Sequence, residues 1–259
     1  MIEAAVLFSG GTDSTLSAAR MLEVCDRVHL LTFQPGFLLF LGNTRKHAGA
    51  LQRRYGRDRV IHRVLNNYAF YKRMVLGRIV RDLMEYGPNM CVHHCQGCRL
   101  AMHARAICYN LEHGIVYLAD GSIRKQVAEP TQLEPIIGIN ASFYLERYGI
   151  IYRSPIFQEE RSDLVLDRMG ISIGRRMKRE FIFFNTQATC PFGVPADVYG
   201  RIFYSRIMRS RQLPESRKYN LERRGILEQL VAEELGERLP VLVEASKRKA
   251  ETVSSHVGS

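Results

Sequence analysis

From Ala4 to Phe8 every position is apolar, and the run then breaks into Ser9-Gly10-Gly11-Thr12-Asp13-Ser14. Beyond the break, Leu16, Ala19, Met21 and Leu22 recur on one side of a helical wheel, with Ser17 and Arg20 on the other. An unbroken apolar run predicts a strand covered on both faces, and the 3.6-residue recurrence predicts a helix. The alternation continues through the first half of the chain. It predicts strands over 4–8, 28–33, 60–65 and 116–119, and helices over 14–24, 44–55, 68–86 and 96–111. Strands alternating with helices imply a parallel sheet with crossover helices, an open doubly wound α/β fold. The carboxyl ends of such strands form the ligand crevice, and Asp13, Thr32, Phe33 and Asp120 all fall at those ends. Further on, Pro155-Ile156, Arg161-Ser162-Asp163-Leu164 and Met169-Gly170-Ile171 predict a turn into a short helix, and Phe181 to Phe184 predict another strand. From about Arg201 the pattern is helical and heavily charged. The division expected is therefore 1–200 for the nucleotide-binding domain and 201–259 for a basic helical appendage, its polar end from Ser246 to Ser259 frayed.

The segment between the first strand and helix carries chemistry. A strand, a glycine turn and a helix start in direct succession aim backbone N–H groups and a positive helix end at one point, which suits a phosphate. Gly10 and Gly11 permit positive φ and close approach, and Ser9, Thr12 and Ser14 add hydroxyls. Thr12 or Asp13 is expected to cap the helix. Neither GxxxxGK[ST] nor GxGxxG is present. The contiguous SGGTDS string resembles the SGGxDS signature of the PP-loop ATP pyrophosphatase superfamily. That resemblance implies an adenine nucleotide alpha hydrolase-like fold that binds ATP and Mg2+, adenylates a substrate oxygen and releases pyrophosphate. Ser9, Gly10, Gly11, Thr12, Asp13 and Ser14 would then hold the phosphates, with Thr32 and Phe33 beneath the adenine. The acidic segment many members carry after the fourth strand is reduced here to Ala119-Asp120-Gly121-Ser122, leaving Asp120 as the Mg2+ or adenylation residue.

Composition narrows the partner. The 259 residues are 46% hydrophobic, enough for one full domain plus an appendage. The longest apolar burst, Phe37 to Leu41, is far too short to span a bilayer. With no secretory pattern at the N-terminus, a cytoplasmic protein with no membrane partner is expected. The formal net charge of +11 exceeds what a small metabolite requires and suits a polyanion. The excess concentrates at Arg201, Arg206, Arg209, Arg211, Arg217, Lys218, Arg223 and Arg224, interleaved with Tyr199, Phe203, Tyr204 and Tyr219 as candidate stacking surfaces. This points to RNA, against the plainer alternative of a solvated basic helix pair.

Six cysteines in a reducing compartment indicate metal, cluster or catalysis before disulfides. Cys91, Cys95 and Cys98 lie within eight residues, the latter two as CxxC at a helix start, where thiol pKa is expected to fall, with Gly97 expected to fold the loop tightly around a metal. Cys190 follows ninety-two residues after Cys98. Three chemistries fit: a [4Fe-4S] cluster on Cys95, Cys98 and Cys190 with an open iron, a zinc ion completed by Cys91 or by His93 or His94, or a persulfide-carrying pair, Cys98 and Cys190. Cys25 and Cys108 fit apolar packing. The layout of Cys95, Cys98 and Cys190 resembles the PP-loop branch that thiolates tRNA bases with a cluster held by CxxC and one distant cysteine. That resemblance implies tRNA as substrate, a sulfur donor as partner, and Asp13, Cys98 and Cys190 as catalytic residues. A deazaguanine nitrile synthase-like enzyme, with zinc on Cys91, Cys95 and Cys98 and a small-molecule acceptor, is the alternative. A homodimer stays open.

Overall fold

The computed structural model describes residues 1–87, 89–124, 132–171, 188–192 and 209–257. The strand expected over 181–184 falls outside them. Strands β1 (Glu3–Leu7), β2 (Arg27–Gln34), β3 (Val60–Asn66), β4 (Tyr117–Ala119) and β5 (Ile151–Arg153) form one sheet. Its order is β3-β2-β1-β4-β5. Every pairing is parallel, with β1 running from Glu3↔Arg27 to Leu7↔Leu31 against β2 and from Ala4↔Tyr117 to Val6↔Ala119 against β4. Strand order therefore reverses at β1/β4, and the crevice beyond their carboxyl ends is the ligand position of such sheets.

Successive residues of the central strands feed opposite cores. Ala4, Val6, Val28 and Leu30 pack with helices α1 (Thr12–Val24) and α2 (Thr44–Tyr55). Ala5, Leu31, Phe33 and Leu118 pack with α3 (Tyr68–Met74), α5 (Gly97–His113) and α6 (Glu134–Tyr148). Two covered faces explain why these strands read as continuous apolar runs.

The helix expected over 68–86 is broken. Helix α3 ends at Met74, a 3-10 turn spans Leu76–Arg78, and α4 covers Ile79–Tyr86. Gly77 sits at the break, where its weak helix propensity and the burial of Met74 and Val75 outweigh local periodicity. The short helix predicted after Pro155 is α7 (Ser162–Arg168).

The C-terminal segment forms α8 (Arg209–Leu235) and α9 (Leu239–Val257). Tyr219, Leu227, Leu230, Val231 and Leu235 of α8 join the same core as α5. The stretch from Ser246, expected to fray, is helical to Val257. Ser246 Oγ donates to the Gly149 carbonyl at 3.1 Å and Ala250 is buried. Among the described residues no helix is long and apolar enough to cross a membrane.

Candidate active site

The loop from β1 to α1 is built by its own sequence. Gly10 takes φ +78, and Gly11 stands at the N-cap with no side-chain capping hydrogen bond. Thr12 and Asp13 thus lie inside the helix and do not cap it. Instead, the hydroxyls of Ser14 and Thr15 donate to the Gly11 carbonyl at 3.1 and 2.7 Å. Ser9 is exposed, its hydroxyl 3.1 Å from that of Ser14 and accepting from the Gly11 N–H at 3.3 Å. A helix whose first turn lacks a side-chain cap offers its N–H groups to an outside anion. Sequence inspection passed over His47. This fully buried α2 residue donates from Nδ1 to the Gly10 carbonyl at 2.6 Å, and burial lowers its pKa, keeping the ring neutral.

Asp120, at the end of β4, is committed to the protein. Arg99, Tyr152, Ser154 and Ser122 all reach its carboxylate, Ser154 Oγ at 2.7 Å and Ser122 Oγ and N–H at 2.9 and 3.0 Å. Burial alone would raise its pKa, but the Arg99 guanidinium, with these donors, brings it down to about 2. Ser17 of α1 donates to the Asp120 carbonyl at 2.6 Å. A Cβ on Gly121 would stand 2.7 Å from the Ser14 nitrogen. The expected ligand of Mg2+ is instead a clamp between β4, α5, β5 and the start of α1, its oxygens filled by protein donors. Thr32 and Phe33 are also turned inward: Thr32 Oγ1 donates to the Phe8 carbonyl at 2.8 Å, and Phe33 is in the core.

The cysteines follow another logic. Cys91–Gln96 is a single π-helical turn leading into α5. Such turns are rare and cluster at functional sites. Gly97 is small because Tyr219 of α8 and Val75 lie against it, a Cβ there meeting Val75 Cγ2 at 2.8 Å. Gln96 donates to the Ser216 carbonyl at 2.8 Å, and Tyr219 to the His93 carbonyl at 3.0 Å. Cys190 is brought in by a two-hydrogen-bond antiparallel bridge between Leu39 and Thr189, at 3.0 and 2.8 Å. Cys98, Cys190 and Cys95 all bear on the Tyr71 phenol, whose pKa burial and these thiols raise. The Phe192 ring packs at a tilt 4.6 Å from the His94 ring, and Phe37 lies 4.9 Å from Tyr71. Burial, then Cys190, pushes the Cys98 thiol up to about 12, opposite to the helix-terminus expectation. None of the six cysteines is in a disulfide; Cys108 is in the core beside α3 and α5 and Cys25 in the core beside α1.

The donor set, soft sulfur in an aromatic surround, suits iron–sulfur or zinc chemistry. Among the described residues, however, no three His, Cys, Asp or Glu side chains stand together as a metal-holding group. Part of the basic cluster also turns out to be internal. Arg223 is buried against Asp82 with its guanidinium 4.3 Å from the Tyr219 ring, Lys218 pairs with Glu85 at 2.6 Å, and Arg224 lies 4.6 Å over Phe143. Tyr219 is fully buried and offers no stacking face; Arg217 is exposed. Arg201, Arg206, Tyr199, Phe203 and Tyr204, and the side chains of Arg209 and Arg211, lie outside the described residues.

No protein-family profile and no curated protein matches the chain. Among solved structures it is similar to a 4-thiouridine synthetase in complex with RNA and bound ATP, at 18% identity and TM-score 0.50, covering 95% of this chain and 53% of that one. The chain thus spans about half of that synthetase. It is also similar to the U34-tRNA thiolase NcsA from Methanococcus maripaludis with its [4Fe-4S] cluster, at 16% identity and TM-score 0.46, covering 88% of this chain and 73% of that one. A predicted subunit of tRNA methyltransferase from Methanocaldococcus jannaschii DSM matches at 16% identity and TM-score 0.44, covering 72% and 95%. At such identity the synthetase likeness carries the fold, an adenine nucleotide alpha hydrolase-like α/β sheet with C-terminal helices.

Proposed function

We propose that the protein is an ATP-dependent sulfurtransferase of the PP-loop type, which adenylates a carbonyl on an RNA base, with tRNA as the RNA, and replaces that oxygen with sulfur. The observation that carries this reading is the segment from Pro35 to Asn43. It leaves the carboxyl end of β2, is bridged through Leu39 to Thr189 beside Cys190, and leads into α2, whose His47 holds Gly10. A phosphate cradle and a set of thiols are thereby tethered to one loop. The solved synthetase that shares the fold was captured with RNA and ATP, the substrates this reading requires.

In this mechanism the N–H groups of the α1 first turn, with Ser9 and Ser14, would hold the ATP phosphates, and Asp13 would bind the Mg2+ that accompanies ATP or orient the phosphates. The base carbonyl oxygen attacks the α-phosphorus and pyrophosphate leaves, its charge stabilised by the amide cradle. Cys95, Cys98 and Cys190, which do not stand together as a ready-made metal-holding group, are the thiols that would have to converge to hold an iron–sulfur cluster, and such a cluster would supply sulfide when bound. A sulfide-level nucleophile would attack the activated carbon, the new C–S bond forming as the C–O bond breaks and AMP departs with the original oxygen. This chemistry is assigned to 1–200, while the helices beyond 201 support the cysteine turn and carry exposed positive charge toward RNA.

Anaerobically purified protein, supplied with [α-32P]ATP and bulk tRNA, is expected to release AMP and pyrophosphate, to form thionucleosides detectable by mass spectrometry, and to contain iron and acid-labile sulfide. ADP and orthophosphate as the only products would refute adenylation. Zinc without iron or sulfide would refute the cluster and favour the small-molecule enzyme with zinc on Cys91, Cys95 and Cys98.

A further inference from the structure

Exposed apolar side chains lie on and beside the loop that joins the two reactive centres. Phe192 is 37% exposed, Tyr68 48%, Phe40 45% and Leu39 51%. Gly36, at φ +102, lies directly under the Tyr68 ring, a Cβ there falling 2.9 Å from Tyr68 Cδ2. Phe37 meets Phe192 edge-to-face, with ring centroids 5.3 Å apart. Behind them Tyr71 and His94 are buried. Phe40 is the only non-glycine among the described residues with positive φ, and such backbone outliers persist where the surroundings enforce them, often at ligand sites. Arg45, in the first turn of α2, is exposed nearby in sequence.

We infer that the exposed rings of Phe192 and Tyr68 form the platform on which the acceptor nucleobase stacks, unpaired from its RNA, between the phosphate cradle and the thiols. The inference rests on the proposed function and names its base-binding subsite. An acceptor carbonyl must meet the ATP α-phosphate first and sulfur second. A base lying on this loop is held by the element tied to both centres. Every base has a π-face, so a platform of rings accepts the base while groups near the reactive atoms choose it. Phe192, two residues after Cys190 and packed on His94, also fixes the base relative to the thiols.

The test uses the full chain and a ten-nucleotide single-stranded RNA with a central 2-aminopurine, whose fluorescence falls when it stacks. Wild-type protein is expected to bind and quench the probe. Phe192→Leu and Tyr68→Leu, which keep apolar volume and lose the ring, are expected to weaken binding by roughly tenfold, the size of one lost base–ring stack, and to abolish quenching. Unchanged ATP affinity in equilibrium dialysis verifies that both variants are folded. Wild-type affinity and quenching in both variants would overturn the platform and leave the sulfurtransferase reading standing. Sedimentation showing that the variants dissociate a dimer while RNA affinity is unchanged would overturn it in favour of a protein interface. Failure of wild-type protein to bind either this probe or bulk tRNA at low salt would remove the RNA reading, and the platform with it.

Discussion

The phosphate loop and the cysteine turn sit in one molecule but are specified in opposite ways. Between Ser9 and Thr15 several of the loop's hydrogen bonds are made among its own residues, and His47 and the Asp120–Gly121 strand end reach in from afar. The cysteine turn is gripped from α8, through contacts separated by 120 and 126 residues in sequence. Its seam is polar: the ring nitrogens of His93, Gln96 Oε1 and Ser216 Oγ are buried without hydrogen-bond partners. Buried unpaired groups cost stability. A site built from local geometry is robust, whereas one assembled across a polar seam is sensitive to either partner.

The strongest test of that contrast strikes the clamp beneath the phosphate loop. Asp120→Asn leaves the Arg99 guanidinium without its counter-charge and should lower stability by about 3 kcal/mol or more in urea unfolding, as one broken buried pair does. The same carboxylate gives an acid limit. Its folded pKa of about 2 lies below the ordinary 3.8, so it contributes about 2 kcal/mol that is fully present above pH 5 and lost as pH falls through the folded value. His103, buried against the Tyr144 hydroxyl at 2.8 Å, has its pKa pushed from 6.5 to about 3 by burial. Above pH 6.5 it is neutral in both states and imposes no slope. Below that, the unfolded chain takes the proton first, so stability should start to fall from pH 6.5 downward, and a flat unfolding midpoint between pH 6.5 and 5 would contradict the assignment.

At the cysteine turn, Gly97→Ala should cost about 2 kcal/mol by overpacking Tyr219 and Val75. Tyr219→Phe should cost about 1 kcal/mol for the lost hydrogen bond to His93. The double variant should cost less than the sum, since removing the hydroxyl relieves part of the clash. Both variants should alter thiol alkylation rates while leaving ATP affinity intact. The reverse is expected of His47→Leu, which removes the donor to Gly10: ATP affinity should fall about fivefold, roughly one hydrogen bond's worth, with thiol reactivity unchanged. Equal responses of both sites to either set of variants would mean that they form a single cooperative unit.

The same difference decided what was legible in the sequence. SGGTDS is contiguous, so its turn, its helix and its position after a central strand could all be read directly. The α/β alternation was equally plain, because strands covered on both faces are apolar throughout. Three-residue β5 gave too short a signal, and Gly77 divided a helix that periodicity would have continued. Asp120 was found, but its role was not, because Arg99, Tyr152 and Ser154 come from α5, β5 and the residue after it. Tyr219 had the composition of a stacking residue and the location of a core one. Which face of a charged helix turns inward depends on the surface it meets, here the cysteine turn and α4, and that surface is remote in sequence.

The grip of α8 on the cysteine turn also sets an order of events during synthesis. The β1–α1 loop and its sheet neighbours can form once residues through β4 and β5 have emerged. The thiols cannot be held in place until Ser216 and Tyr219 have left the ribosome and closed the longest contacts in the site. On the proposed function, nascent chains would complete the β1–α1 loop before the cysteine turn, and a chain truncated before α8 would retain the loop while losing the two α8 contacts that hold the turn.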